Sequence, residues 1–334
     1  MPDSKWLIVL VNIAAMFAVI LIGWLARRRG YLTEETTSSL SKFVVDIAIP
    51  AMVLTGMLRT IDPTKMTDNW FLPLVGASVL IIGQIVGTMV MPFFSRKDQR
   101  PTFVFLVAIA NWVYLPLPIA QALYGGEGVR AVLLFNVGAQ VVLWTMGIWT
   151  LRRGKPDWRS IQNLITNPGL VATIIGILLA LYVPASRSIE TADIASLSAI
   201  GMTCKMLVLA LVIVGNLTIP LSLIVTGAQL GGLDISDHKP SLTLSGVVLA
   251  RLFLAPTAVV VLIWALHFYG IQLQEIPRMV AYIIACMPVA VSCSMFTESF
   301  GGDTSLAARA IFYSTFLSIV TVPGLFYAIQ RMGL

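Results

Sequence analysis

Asn111 opens an apolar run, Trp112-Val113-Tyr114-Leu115-Pro116-Leu117-Pro118, that closes on Tyr124-Gly125-Gly126-Glu127. A second run, Cys286-Met287-Pro288-Val289-Ala290-Val291-Ser292, closes on Phe300-Gly301-Gly302-Asp303. Each is interrupted by proline and ends in aromatic-Gly-Gly-acid. Proline removes a backbone donor and breaks a helix. At the first turn of a helix the missing donor costs nothing. Pro116 or Pro118 is therefore placed to start one half-helix, and Pro288 to start another. A helix N-terminus offers unpaired N–H groups and about half a positive charge. Two such ends facing each other would bind an anion without a fixed cationic side chain. A carboxylate, costly to desolvate otherwise, suits that chemistry. Two packing kinks without a ligand are the alternative reading.

Other polar residues fit the same picture. Asn136 and Gln140 lie four apart, on one helix face. Ser314, Ser318 and Thr321 make a similar stripe, and Ser292 and Ser294 follow Pro288. Trp112 and Tyr114 flank the first break, where their rings are placed to stack on an apolar substrate body. For each alone, hydrogen bonding between helices is the competing role. Charges inside apolar runs are few: Asp46, Arg251 and Glu298. Such charges are costly and often functional. Arg251 reads as a substrate counter-charge or as a partner for Asp46 or Glu298; Asp46 reads equally as a residue near the inner surface. No pair of aspartates sits at either break, which argues against sodium/proton antiport. His238 and His267 sit near run ends, and neither HExxH nor GxSxG occurs. The three cysteines, Cys204, Cys286 and Cys293, lack metal-site spacing. No enzyme, cofactor or metal is expected.

These residues must be held by membrane helices. The chain is 57% hydrophobic and 11% charged, with mean hydropathy +0.88. A soluble chain carries roughly a quarter charged residues. The net charge of +6 belongs to loops beside apolar runs, so nucleic acid is not the expected partner; the lipid bilayer is. Ten spans are predicted, over 6–26, 43–60, 70–94, 102–123, 129–151, 168–184, 211–231, 241–268, 277–298 and 306–329. The first resembles a signal peptide only superficially, because Arg27-Arg28-Arg29 follows the run instead of preceding it. Inner connections hold thirteen basic residues against eight in outer segments, which puts both termini outside. The basic loop 152–167 joins the halves. Residues 194–211 read as an interfacial helix leading into span seven, or as an eleventh span.

The two halves match at a second place. Asp46-Ile47-Ala48-Ile49-Pro50 precedes Thr55-Gly56, and Asn216-Leu217-Thr218-Ile219-Pro220 precedes Thr226-Gly227. Five spans per half, an odd number, invert the second half relative to the first. At Asn111–Pro118, Pro288–Asp303 and Pro220–Gly227 the sequence resembles the auxin efflux carrier family. That resemblance, over essentially the whole chain, implies an all-α integral membrane protein. It implies ten transmembrane helices in two inverted five-helix repeats, 1–155 and 156–334, with helices four and nine broken and crossing. It further implies a scaffold domain from 1–60 and 168–231, a transport domain from 70–151 and 241–330, and a homodimer in a prokaryotic inner membrane. The expected function is secondary transport of a small organic acid by alternating access. A non-transporting receptor for the same anion is the alternative. The expected substrate-binding set is Asn111, Trp112, Tyr114, Pro116, Pro118, Pro288, Ser292, Asn136, Gln140 and Ser314. One departure stands out. The family's first crossover commonly carries glycine where this chain has Val113 and Pro116. Losing both glycines removes room and backbone freedom, so auxin itself does not carry over.

Overall fold

The computed structural model describes residues 3–60, 71–154, 162, 165–166, 168–232 and 241–332. Lys65, Lys155, Arg159, His238, Lys239 and most of the expected inner loop 152–167 lie outside the described residues. Every regular element among those described is a helix. Six helical runs among them are long and apolar enough to cross a membrane. The protein is a multi-pass helical membrane protein.

Helix α1 spans Asp3–Arg28 and ends on Arg27 and Arg28, cations that suit a helix C-terminus. Thr33 then caps α2, Glu34–Phe43, by accepting the Thr36 N–H at 3.2 Å. A π-helical turn over Val44–Ala48 leads into α3, Ile49–Thr60. α4 covers Leu72–Phe94, α5 Arg100–Ala108 and α6 Pro116–Val142. A second π turn, Leu143–Gly147, joins α6 to α7, Ile148–Leu151. α8 is Pro168–Tyr182, α9 Ala199–Asn216 and α10 Thr218–Gly232. α11, Leu242–Leu249, passes through a π turn at Ala250–Leu254 into α12, Ala255–Phe268. The chain ends with α13 Glu275–Ala285, α14 Cys293–Phe300 and α15 Thr304–Arg331.

The recurring Asp46…Pro50 and Asn216…Pro220 motifs both fall on irregular turns, the π turn before α3 and the α9–α10 junction. A proline just downstream deprives the preceding turn of a donor, which favours such an irregularity. The helix expected over 194–211 begins later, at Ala199, and runs on to Asn216. Leu217 keeps helical angles (φ −73°, ψ −17°). The chain therefore continues into α10 instead of folding back, and Ala199–Gly232 forms one apolar helical run of 34 residues.

Two packing sets meet where α1 and α3 pack on α6 and α1 packs on α15. α1 lies along α10, and α3 packs on α8 and α9. α4 packs on α5, α6, α11 and α12, α6 on α13, and α14 on α15. Glycines set the closest approaches. A Cβ on Gly227 would stand 1.9 Å from the Ile20 carbonyl oxygen, and one on Gly138 1.7 Å from that of Pro73. Backbones this close are the hallmark of small-residue packing between membrane helices. The deepest burial lies where α5 and α13 end: from Phe103 to Ala110, and from Met279 to Val291, almost every side chain is enclosed.

Candidate functional site

Between α5 and α6, residues 109–115 leave the helix, and between α13 and α14 residues 286–292 do the same. The two breaks meet as an isolated antiparallel bridge, Ala110 against Val289. The Asn111 N–H donates to Pro288 O at 2.8 Å, and the Ala290 N–H to Ile109 O at 3.1 Å. A third bond comes from α15, where Ser314 Oγ, fully buried, accepts the Val289 N–H at 3.2 Å. Backbone groups that lipid cannot satisfy are thus paired across the two breaks.

Asn111 closes the first break. Its Oδ1 accepts the Tyr114 N–H at 3.1 Å and the Leu115 N–H at 3.4 Å. Pro116 begins α6 as expected, and neither it nor Pro118 has an N–H. The Leu117 N–H donates to Val113 O. The start of α6 therefore presents no free backbone donor, contrary to the expectation from the prolines. Pro288 also departs from expectation. It does not start a half-helix but lies in the bridge, and α14 starts at Cys293, because the intervening residues pair with 109–111. Among the described residues the N–H groups of Val291 and Ser292, at the start of α14, meet no acceptor. The Ser292 side chain makes no cap bond there.

A ladder of amides and indoles runs from the first break along α6. Trp112 Nε1 donates to Asn136 Oδ1 at 2.8 Å, Gln140 Nε2 to the same oxygen at 3.4 Å, and Trp144 Nε1 to Gln140 Oε1 at 3.1 Å. Trp144 in turn meets Phe296 and Phe300 of α14 edge-on, with centroids 5.5 and 6.5 Å away. Trp112 is 6% exposed and committed to Asn136, so it supports the site's wall. Tyr114 and Pro118 are half-buried beside it.

The partners fix how the two asparagines point. Only a carbonyl oxygen accepts from an N–H, so Oδ1 of Asn111 and Oδ1 of Asn136 face their protein donors. Each Nδ2, with two donors, is left without an acceptor among the described residues. Neither is a sealed, unpaired atom. Unpaired carboxamide and backbone N–H groups around one crossing suit a ligand rich in acceptor oxygens.

The charged candidates separate. Asp46 and Glu298 are exposed and stand apart from Arg251. Arg251, 1% exposed on the third π turn, donates from Nη1 to Val107 O at 2.8 Å and from Nη2 to Ala285 O. It therefore binds the last turns of α5 and α13. Sequence reasoning marked Arg251 but not these partners, since nothing in the spacing links 251 to 107 and 285. Nor was the Trp112–Asn136 bond legible, although the i, i+4 stripe of Asn136, Gln140 and Trp144 hinted at the ladder.

The comparisons agree with the geometry. The model of the family described as "Membrane transport protein" matches residues 8–158 and 159–326. A relative described as an uncharacterized transporter of Methanothermobacter thermautotrophicus is 23% identical over 318 residues, covering 93% of this chain and 95% of that protein. An uncharacterized transporter of Methanocaldococcus jannaschii is 22% identical, covering 91% and 93%. Protein PIN-LIKES 1 of Arabidopsis thaliana is 24% identical, covering 87% of this chain and 72% of its own length. With the broken helices, the paired crossing and a family match over both halves, the chain belongs to the membrane transport protein family, the auxin efflux carrier family that its sequence resembles.

Proposed function

We propose that the protein is a secondary transporter that moves a small organic anion by alternating access, with the carboxylate held at the crossing. The observation that carries this reading is the set of donors without acceptors there: Asn111 Nδ2, Asn136 Nδ2 and the Val291 and Ser292 N–H groups. Gln140, Tyr114 and the Pro116–Pro118 turn line the approach, and Ser314 holds the bridge from behind. In this reading the chain forms ten membrane helices. α1 pairs with α8 as repeat equivalents, α2–α3 with α9–α10, α4 with α11–α12, broken α5–α6 with broken α13–α14, and the remainder of α6 through α7 with α15. The halves 1–155 and 156–334 then run inverted to each other. The two packing sets support a scaffold of α1–α3 and α8–α10, against which the remaining helices move as a body carrying the crossing. A homodimer through the scaffold would give that motion a fixed platform, and both chain termini would lie outside.

The purified protein is to be screened by thermal shift against malonate, malate, benzoate and their neutral amides, followed by flux of the best binder into proteoliposomes. Acids should stabilise, amides should not, and flux should follow binding. Equal stabilisation by acid and amide would sink the anion reading. Binding without flux would make the protein a receptor.

A further inference from the structure

Four helix ends meet at the crossing. α5 and α13 bring their C-termini, α6 and α14 their N-termini. Each end carries about half a unit charge, negative at a C-terminus and positive at an N-terminus. Left alone, the two C-termini would at least cancel the N-terminal charge, since Asn111 already caps the start of α6, and the crossing would not favour anions. Arg251 breaks that balance. Its guanidinium, enclosed and held on the π turn of the α11–α12 run, donates to the penultimate residue of α5 and the last residue of α13. These carbonyls belong to the last turn, which a helix leaves without an internal donor. No carboxylate among the described residues pairs with Arg251. About one positive charge therefore meets about one negative, and the uncapped start of α14 stays uncompensated.

We propose that Arg251 gives the crossing its preference for anions by neutralising the two half-helix C-termini, without touching the ligand. It is a positioning residue that also sets the sign of the local potential. The inference rests on the crossing being the anion site, but its test needs no substrate.

Ser292, half-buried at the start of α14, is replaced by cysteine, with the exposed Cys204 changed to serine. Alkylation of position 292 by anionic iodoacetate and by neutral iodoacetamide is then measured by mass spectrometry, with fragment ions separating it from Cys293. The ratio of the two rates reports the potential, because the thiolate fraction is common to both. With Arg251 present, the iodoacetate to iodoacetamide ratio should exceed that of free cysteine. In Arg251→Gln it should fall about tenfold, the order that one unit charge produces at an effective dielectric of about 20. Arg251→Lys, which keeps the charge, should stay within about threefold of the parent. A ratio no higher than free cysteine's in the parent would overturn the proposal. So would an unchanged ratio in Arg251→Gln, or a tenfold fall in Arg251→Lys. If Arg251→Gln fails to fold, the parent and lysine measurements still decide. A potential that follows Arg251 while no acid binds would leave the charge role of Arg251 standing and remove the transport reading.

Discussion

The two breaks share a sequence pattern and differ in how they treat their helix ends. The first is closed by its own side chain: Asn111 Oδ1 takes the Tyr114 and Leu115 N–H groups, and two prolines remove two more donors. The second has no such cap, and Val291 and Ser292 keep their N–H groups free among the described residues. The aromatic-Gly-Gly-acid closures diverge as well. Gly125 and Gly301 both take positive φ, +58° and +83°. Only Asp303 then caps the following helix, accepting the Leu306 N–H at 2.9 Å. Two breaks with one sequence pattern thus differ in the donors they leave open. One break offers side-chain amides and the other backbone N–H groups, so in the proposed reading a ligand between them would be met by both.

The comparison predicts a graded series. Asn111→Asp should have the largest effect. The carboxylate can still cap α6, so folding should survive. A negative charge about 5 Å from the bound anion at an effective dielectric of about 20 costs about 3 kcal/mol, about a hundredfold in affinity. Isothermal titration with the best-binding acid would show it, and unchanged affinity would remove Asn111 from the site. Asn111→Ala comes next. It leaves two enclosed N–H groups without an acceptor, which should lower stability by about 1–3 kcal/mol and be visible in thermal unfolding. Affinity should fall about tenfold through the lost Nδ2 donors. Gly301→Ala forces a side chain into the left-handed region, costing about 1–2 kcal/mol of stability. Nothing lies within 4 Å of that Cβ, so the cost should come from backbone strain alone, and Gly301→Asn should recover part of it. Ser292→Ala should be the mildest, under about 0.5 kcal/mol, since its hydroxyl makes no cap bond and surface-type changes stay in that range. A loss in Ser292→Ala as large as that in Asn111→Ala would erase the distinction between the breaks.

Much of this architecture was legible in the chain. Proline within apolar runs located both breaks, and Gly125 and Gly301 marked their ends. Asn111 stood out as the polar residue ahead of the prolines. What stayed hidden was tertiary. Spacing assigns Pro288 to a helix start, because that is where proline costs least. The bridge to Asn111 and Ile109 overrides that preference and delays α14 to Cys293. Arg251 was readable as a buried charge. Its partners are main-chain carbonyls, which carry no side-chain signature, so only the fold reveals them.

The bridge has a consequence for biosynthesis. Asn111 and Ile109 have their backbone partners about 180 residues further along the chain, and translation at about 5–20 residues per second takes about 9–36 s to deliver them. During that interval the first half sits in the membrane with an open seam. Its peptide groups must be sheltered by water, lipid headgroups or the insertion machinery until the second half arrives. A ribosome stalled after residue 160 should therefore hold a nascent chain whose residues 109–115 exchange amide protons readily. Release of the full-length chain should bring protection to both seams together.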